Sequence, residues 1–118
     1  MSNRRLLRVA DLLRETLSEI ITRTVHDPRV TGRDYAILRV DVSSDLNHAR
    51  VHISSLLAEK ERKELLDGLN HSAGYIHHEL MREVRLKNTP ALLFVYDDGI
   101  ERSQRIADIL NSLHTGNS

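Results

Sequence analysis

Four basic side chains near residue 80 are the first candidates for chemistry. His78, Arg82 and Arg85 stand at i, i+4 and i+7, which on a helix makes one surface stripe, with Lys87 near its end. Guanidinium groups in such a row suit phosphate oxygens, with which they form charge-assisted hydrogen bonds. Arg4, Arg5 and Arg8 form a second basic cluster, with no acid among the first eight residues. Tyr75 is the one aromatic near the stripe that could stack on an unpaired base. Phosphate and shape contacts should therefore outweigh base reading in any RNA complex. The competing reading is a solvated helix face with local ion pairs, and composition alone favours it.

Enzymatic chemistry finds little support. Seven histidines occur, but no H-E-x-x-H spacing exists, and His77 and His78 diverge around a helix. His48 and His52 would share one face of a strand, and both read as surface residues. Asp97-Asp98 precedes a glycine and a helix, so turn and cap explain it without magnesium. No nucleophile has an evident base, and neither a P-loop nor a G-x-S-x-G elbow is present. The expectation is a non-enzyme with no cofactor and no metal.

The chain has 118 residues, no cysteine, and 17 basic against 17 acidic residues. On the average, zero net charge argues against nucleic-acid binding, for which a basic domain is the usual footprint. The charge is segregated, however, with acids gathered at Glu59, Glu61, Glu64 and Asp67 and again at Asp97, Asp98 and Glu101. The lack of cysteine excludes a disulfide framework and a thiolate zinc site. No signal peptide or 18-residue apolar run is found, so a cytoplasmic location without membrane contact is expected.

The elements that would position the basic residues follow from periodicity. Leu6, Val9, Ala10, Leu13, Leu17, Ile20 and Ile21 form one apolar stripe of a long first helix ending near Val25, before the Asp27-Pro28-Arg29 turn. From Ala36 to Ser43 the period is two, with Leu38, Val40 and Val42 on one side. Ala49, Val51 and Ile53 then alternate with Arg50, His52 and Ser54, making an antiparallel hairpin around Ser44-Asp45-Leu46-Asn47. Leu65, Leu69, Ile76, Leu80 and Val84 recur at helical spacing, interrupted by Ser72-Ala73-Gly74, where a mid-helix glycine costs about 1 kcal/mol. Leu92 to Tyr96 reads as a buried strand. Asp98 and Glu101 suit a capping box for a last helix through Ile106, Ile109, Leu110 and Leu113.

The order is thus α-β-β-α-kink-α-β-α, an α+β fold with a three-stranded sheet covered by helices. This is a KH-domain-like arrangement of the type II variant, with a helix before the first strand. Residues 1–113 read as one KH-like domain and 114–118 as a flexible C-terminal tail. KH domains that grip single strands use G-x-x-G between two helices, but here the break is His71-Ser72-Ala73-Gly74, with one glycine. The helix kink at Ser72, Ala73 and Gly74 would position, and the basic side of the next helix would hold.

From Arg8 to Leu113 the chain resembles the ribosome-binding factor A family of bacterial small-subunit maturation factors. Asp27-Pro28-Arg29 resembles that family's turn after helix one. Val42-Ser43-Ser44-Asp45-Leu46 with Ala49-Arg50-Val51 resembles its hairpin signature, and Pro90-Ala91-Leu92-Leu93-Phe94 with Asp97 its last-strand motif. Ser72-Ala73-Gly74 falls where the family has an Ala-x-Gly kink, with Ser72 in the alanine's place. Some members carry a longer C-terminal extension than this chain. The resemblance implies an assembly factor that binds the immature 30S subunit and 16S rRNA near the decoding region. It also implies support of rRNA 5′-end processing and growth in the cold, and release with a GTPase among the other assembly factors. A monomer is expected. The alternative is a protein-binding module that uses its sheet face without touching RNA.

Overall fold

The computed structural model describes residues 2–97. Its elements are α1 (Ser2–Thr24), β1 (Ala36–Val42), β2 (His48–Ser54), α2 (Glu59–His71), α3 (Ala73–Glu83) and β3 (Ala91–Tyr96). The expected last helix, its Asp98–Glu101 cap and the tail lie outside the described residues.

The apolar stripe of α1 does what its spacing predicts: Leu13, Leu17, Ile20 and Ile21 are buried, and Leu6, Val9 and Ala10 are half-buried. They meet Val40, Ala49, Val51, Ile53 and Phe94 from the sheet and Leu65, Leu69, Ile76 and Leu80 from α2 and α3. Each such aliphatic or aromatic side chain contributes about 1.5–3 kcal/mol on burial, so this one cluster holds the helices on one face of the sheet. The strand order is β1-β2-β3, with β1–β2 antiparallel and β2–β3 parallel. A parallel pair requires a crossover, and α2 and α3 supply it.

β1 departs from simple alternation. Ile37 pairs with Ile53 and Arg39 with His52, so Leu38 is an extra residue, a β-bulge. The bulge puts Ile37 and Val40 in the core and leaves Leu38 48% exposed, not beside Val40 and Val42 as expected.

The turns are held by polar side chains. Asp27 accepts from the Arg29 main-chain amide (2.9 Å) and, through both carboxylate oxygens, from the Arg29 guanidinium (3.1 and 2.7 Å). The Arg29 side-chain bonds, followed by its amide, pull the Asp27 carboxyl down to about 2. At the hairpin corner, Asp45 accepts from the Ser43 hydroxyl (2.6 Å) and the Asn47 amide (2.9 Å), which lowers its pKa. These bonds hold Leu46 in the left-handed region at φ 61°.

The break between α2 and α3 is a kink and not a loop. Ser72 sits at φ −88°, ψ 0°. Its amide is shared between the carbonyls of Gly68 and Leu69 (3.1 Å each), and its carbonyl accepts from Ile76 (2.9 Å). Helical bonding therefore runs through the bend, as at other Ser/Gly kinks.

Candidate nucleic-acid interface

α3 turns Ile76 and Leu80 into the core, and this burial decides what faces out. Gly74, Tyr75, His78, Met81 and Arg82 are on the outer side, and all five are exposed. Tyr75, His78 and Arg82 stand at i, i+3 and i+7, one ridge of a helix. Arg82 Nη1 lies 3.4 Å from Glu79 Oε1, with the Arg82 side chain 68% exposed. A pair that long and that wet is worth little, so the guanidinium stays available.

Arg85 is not on this helix. α3 ends at Glu83, and Val84 is extended (φ −118°, ψ 125°). Val84 is buried, Arg85 exposed and Leu86 half-buried, a period of two. The core draws in Val84 and Leu86, which ends the helical spacing that would have carried Arg85 to i+7. Arg85 and Lys87 instead project from the segment leading to β3. That segment is tied back to α3, with His77 Nε2 3.1 Å from the Thr89 carbonyl.

Arg4, Arg5 and Arg8 are exposed on the first turns of α1 but do not adjoin the α3 ridge. Arg23 pairs with Glu83, pinning the C-terminal end of α3 beside that of α1. At 1.5 Å per residue, Arg5 lies about 27 Å back along the axis from Arg23. Arg82, next to Glu83, is therefore far along α1 from Arg5.

Ion pairing sorts the remaining arginines. Arg29 is spent on Asp27, Arg33 on Glu64 and the Glu61 carbonyl, and Arg39 on Asp41 and Asp97. Among the described residues, Arg4, Arg5, Arg8, Arg14, Arg50 and Arg85 have no such pair. Arg50, on the outer sheet face beside the exposed Leu93, was not singled out by spacing. Its alternation in β2 was the available signal. His52 Nε2 lies 2.8 Å from Asp41 Oδ2, and no group of three metal-binding side chains occurs among the described residues.

Two residues fix α2, the helix before the kink, against its neighbours. Gly68 packs against the Asp27–Val30 turn so closely that a Cβ would lie 2.9 Å from Arg29 Cβ and from Val30 Cγ2. Asn70 clamps β3, with Nδ2 donating to the Phe94 carbonyl and Oδ1 accepting from the Phe94 amide, both 2.9 Å. Gly68 could have been flagged as a mid-helix glycine. Nothing in the sequence around Asn70 signals its clamp.

The fold and this surface define a class: a KH-like α+β domain with exposed basic side chains on, and just after, the helix that follows its kink. The chain belongs to the ribosome-binding factor A family, whose family model matches residues 5–110. The family's protein from Halothermothrix orenii is 40% identical over 113 residues, covering 96% of this chain and 91% of that one. The crystal structure of ribosome-binding factor A from Thermus thermophilus superposes with a TM-score of 0.66 at 23% identity, covering 77% of this chain and 93% of that one, and shows the shared fold. A homology model of the Thermus thermophilus protein fitted into a cryo-EM map of its complex with the 30S subunit has a TM-score of 0.59 at 22% identity, covering 75% of this chain and 91% of that one.

Proposed function

We propose that this protein binds the immature 30S subunit as a non-catalytic assembly factor, contacting 16S rRNA. The reading rests on one observation, the outward ridge of Tyr75, His78 and Arg82 beside Arg85 and Lys87, in a chain of a family with a member fitted to the 30S subunit. Arg82, Arg85 and Lys87 bind rRNA phosphates, and Tyr75 stacks on an unpaired base. Arg4, Arg5 and Arg8 engage a second stretch of backbone, since Arg5 lies far along α1 from Arg82. As a cytoplasmic monomer, the protein supports 5′-end processing of the rRNA and late maturation in the cold. It leaves with the help of other factors, including a GTPase.

Sucrose-gradient fractionation of a lysate tests this directly. The protein should sediment with free 30S subunits and not with 70S ribosomes; absence from ribosomal fractions would overturn the reading. The double variant Arg82→Glu/Arg85→Glu should lose co-sedimentation while keeping its unfolding midpoint. With about five phosphate contacts, log affinity should fall against log salt with a slope on the order of −4. A flat salt dependence would instead indicate protein contacts.

A further inference from the structure

The two edges of the sheet differ. On β3, the Phe94 main chain is occupied by the Asn70 side chain. On β1, nothing among the described residues does the same. The Ser43 amide donates to the His48 carbonyl (2.9 Å), so by ladder alternation the paired residues Asp41↔Arg50 and Arg39↔His52 also turn their main-chain groups toward β2. Val40 and Val42 therefore turn theirs to the open side, in a run of strand beyond the bulge at Leu38.

Two separate grooves between α1 and β1 make a trough along this edge. At one end, a groove of about 380 Å³ is lined by Leu6, Leu7 and Ala10 of α1 and by Val40, Asp41 and Val42. Leu7 is 67% exposed. At the other end, Arg14, Glu15, Ser18 and Glu19 border Ile37. Glu15 and Glu19 are exposed and have no ion pair among the described residues, so with Arg14 that end carries a net negative charge.

We infer that the α1–β1 trough accepts an extended segment of a protein partner as a fourth strand. Its main chain pairs with Val40 and Val42, an apolar side chain rests on Leu7, and a lysine or arginine lies against Glu15 and Glu19. Strand addition draws affinity from main-chain hydrogen bonds and selectivity from alternate side chains, and this edge offers both. At the Ile37 end the chemistry selects a basic extended peptide over nucleic acid, which would face the Glu15 and Glu19 carboxylates there. The trough is distinct from the α3 ridge, so the inference stands whether or not that ridge binds rRNA.

The test is an amide NMR titration of the full chain with a blocked heptapeptide alternating threonine and valine, one terminal valine position being lysine. The control probe carries glutamate there. The Val40 and Val42 amides should move, with the lysine probe binding more tightly. Val42→Pro removes only an outward N–H, which an edge strand tolerates, and should weaken binding by about fivefold, the value of one hydrogen bond. Should that variant fail to fold, a probe N-methylated at its central amide makes the same deletion from the ligand side. Glu15→Lys/Glu19→Lys should reverse the lysine–glutamate preference. The inference falls if no shift appears at several millimolar probe, or if these changes leave binding alone. It also falls if the two amides are already protected from exchange in dilute free protein, which would mean the chain covers its own edge. A concentration-dependent dimer abolished by Val42→Pro would assign the edge to a second copy and overturn it too.

Discussion

Gly68 and Gly74 lie six residues apart on one kinked helical run, and they answer to opposite constraints. Gly68 is buried where α2 crosses the Asp27–Val30 turn, and there is no room for a methyl group. Gly74 lies on α3 where a Cβ would meet nothing within 4 Å, and its φ is not positive. The kink needs neither a loop nor a left-handed residue, since helical bonding runs through Ser72. One glycine is required by packing, and the other is not required by anything within the described residues. A break in an apolar pattern draws attention to the wrong one.

The largest effect should come from Gly68→Ala. Better helix propensity would return up to about 1 kcal/mol, but the methyl group meets the anchored Arg29 Cβ and a Val30 methyl, and overpacking costs about 1–3 kcal/mol. Urea unfolding should show a net loss of about 1–2 kcal/mol. A gain would mean that the turn shifts freely and that the two glycines are equivalent. Asn70→Ala comes next. It leaves the Phe94 amide and carbonyl without their clamp and should cost about 1–2 kcal/mol, with faster hydrogen exchange at Phe94. Gly74→Ala should be neutral or stabilising by up to about 1 kcal/mol. A loss there would show that Gly74 serves the kink after all.

The smallest effect is confined to acid and bears on the turn that crowds Gly68. The Asp27 carboxyl is depressed to about 2 from an ordinary 3.8. A depressed carboxyl adds stability that is complete above the unfolded value and is lost as pH falls toward the folded one. Stability of the wild type should therefore drop between about pH 4 and pH 2, and Asp27→Asn should flatten that part of the profile. An unchanged profile would detach the Asp27–Arg29 contact from the packing on Gly68.

Much of the fold was legible because it is written in local periods. The stripe of α1, the hairpin and the buried positions of α2 and α3 follow from spacings of 3.6 and 2, and Leu13, Leu17, Ile20, Ile21, Val51, Ile53, Leu65, Leu69, Ile76 and Leu80 are buried accordingly. The candidate site was legible in part. His78 and Arg82 share a ridge with Tyr75, while Arg85 falls beyond a helix that stops two residues earlier. Periodicity continues on paper through Val84, which a helix or a strand can bury equally well. The bulge at Leu38 was hidden for a similar reason, since either Ile37 or Leu38 could fill the core.

The sequence by itself determined which residues seek the interior, where the chain must turn, and which side chains carry charge. Those are properties of each residue and its near neighbours. Only the tertiary structure decided which arginines are already paired, that Arg82 lies far along α1 from Arg5, and that the β3 edge is clamped by Asn70 while nothing among the described residues clamps the β1 edge. Each depends on residues distant in sequence meeting in space: Arg39 with Asp97, Arg23 with Glu83, Asn70 with Phe94. A local pattern carries no record of such meetings, because the energy that sets them belongs to the packed core and not to any one segment.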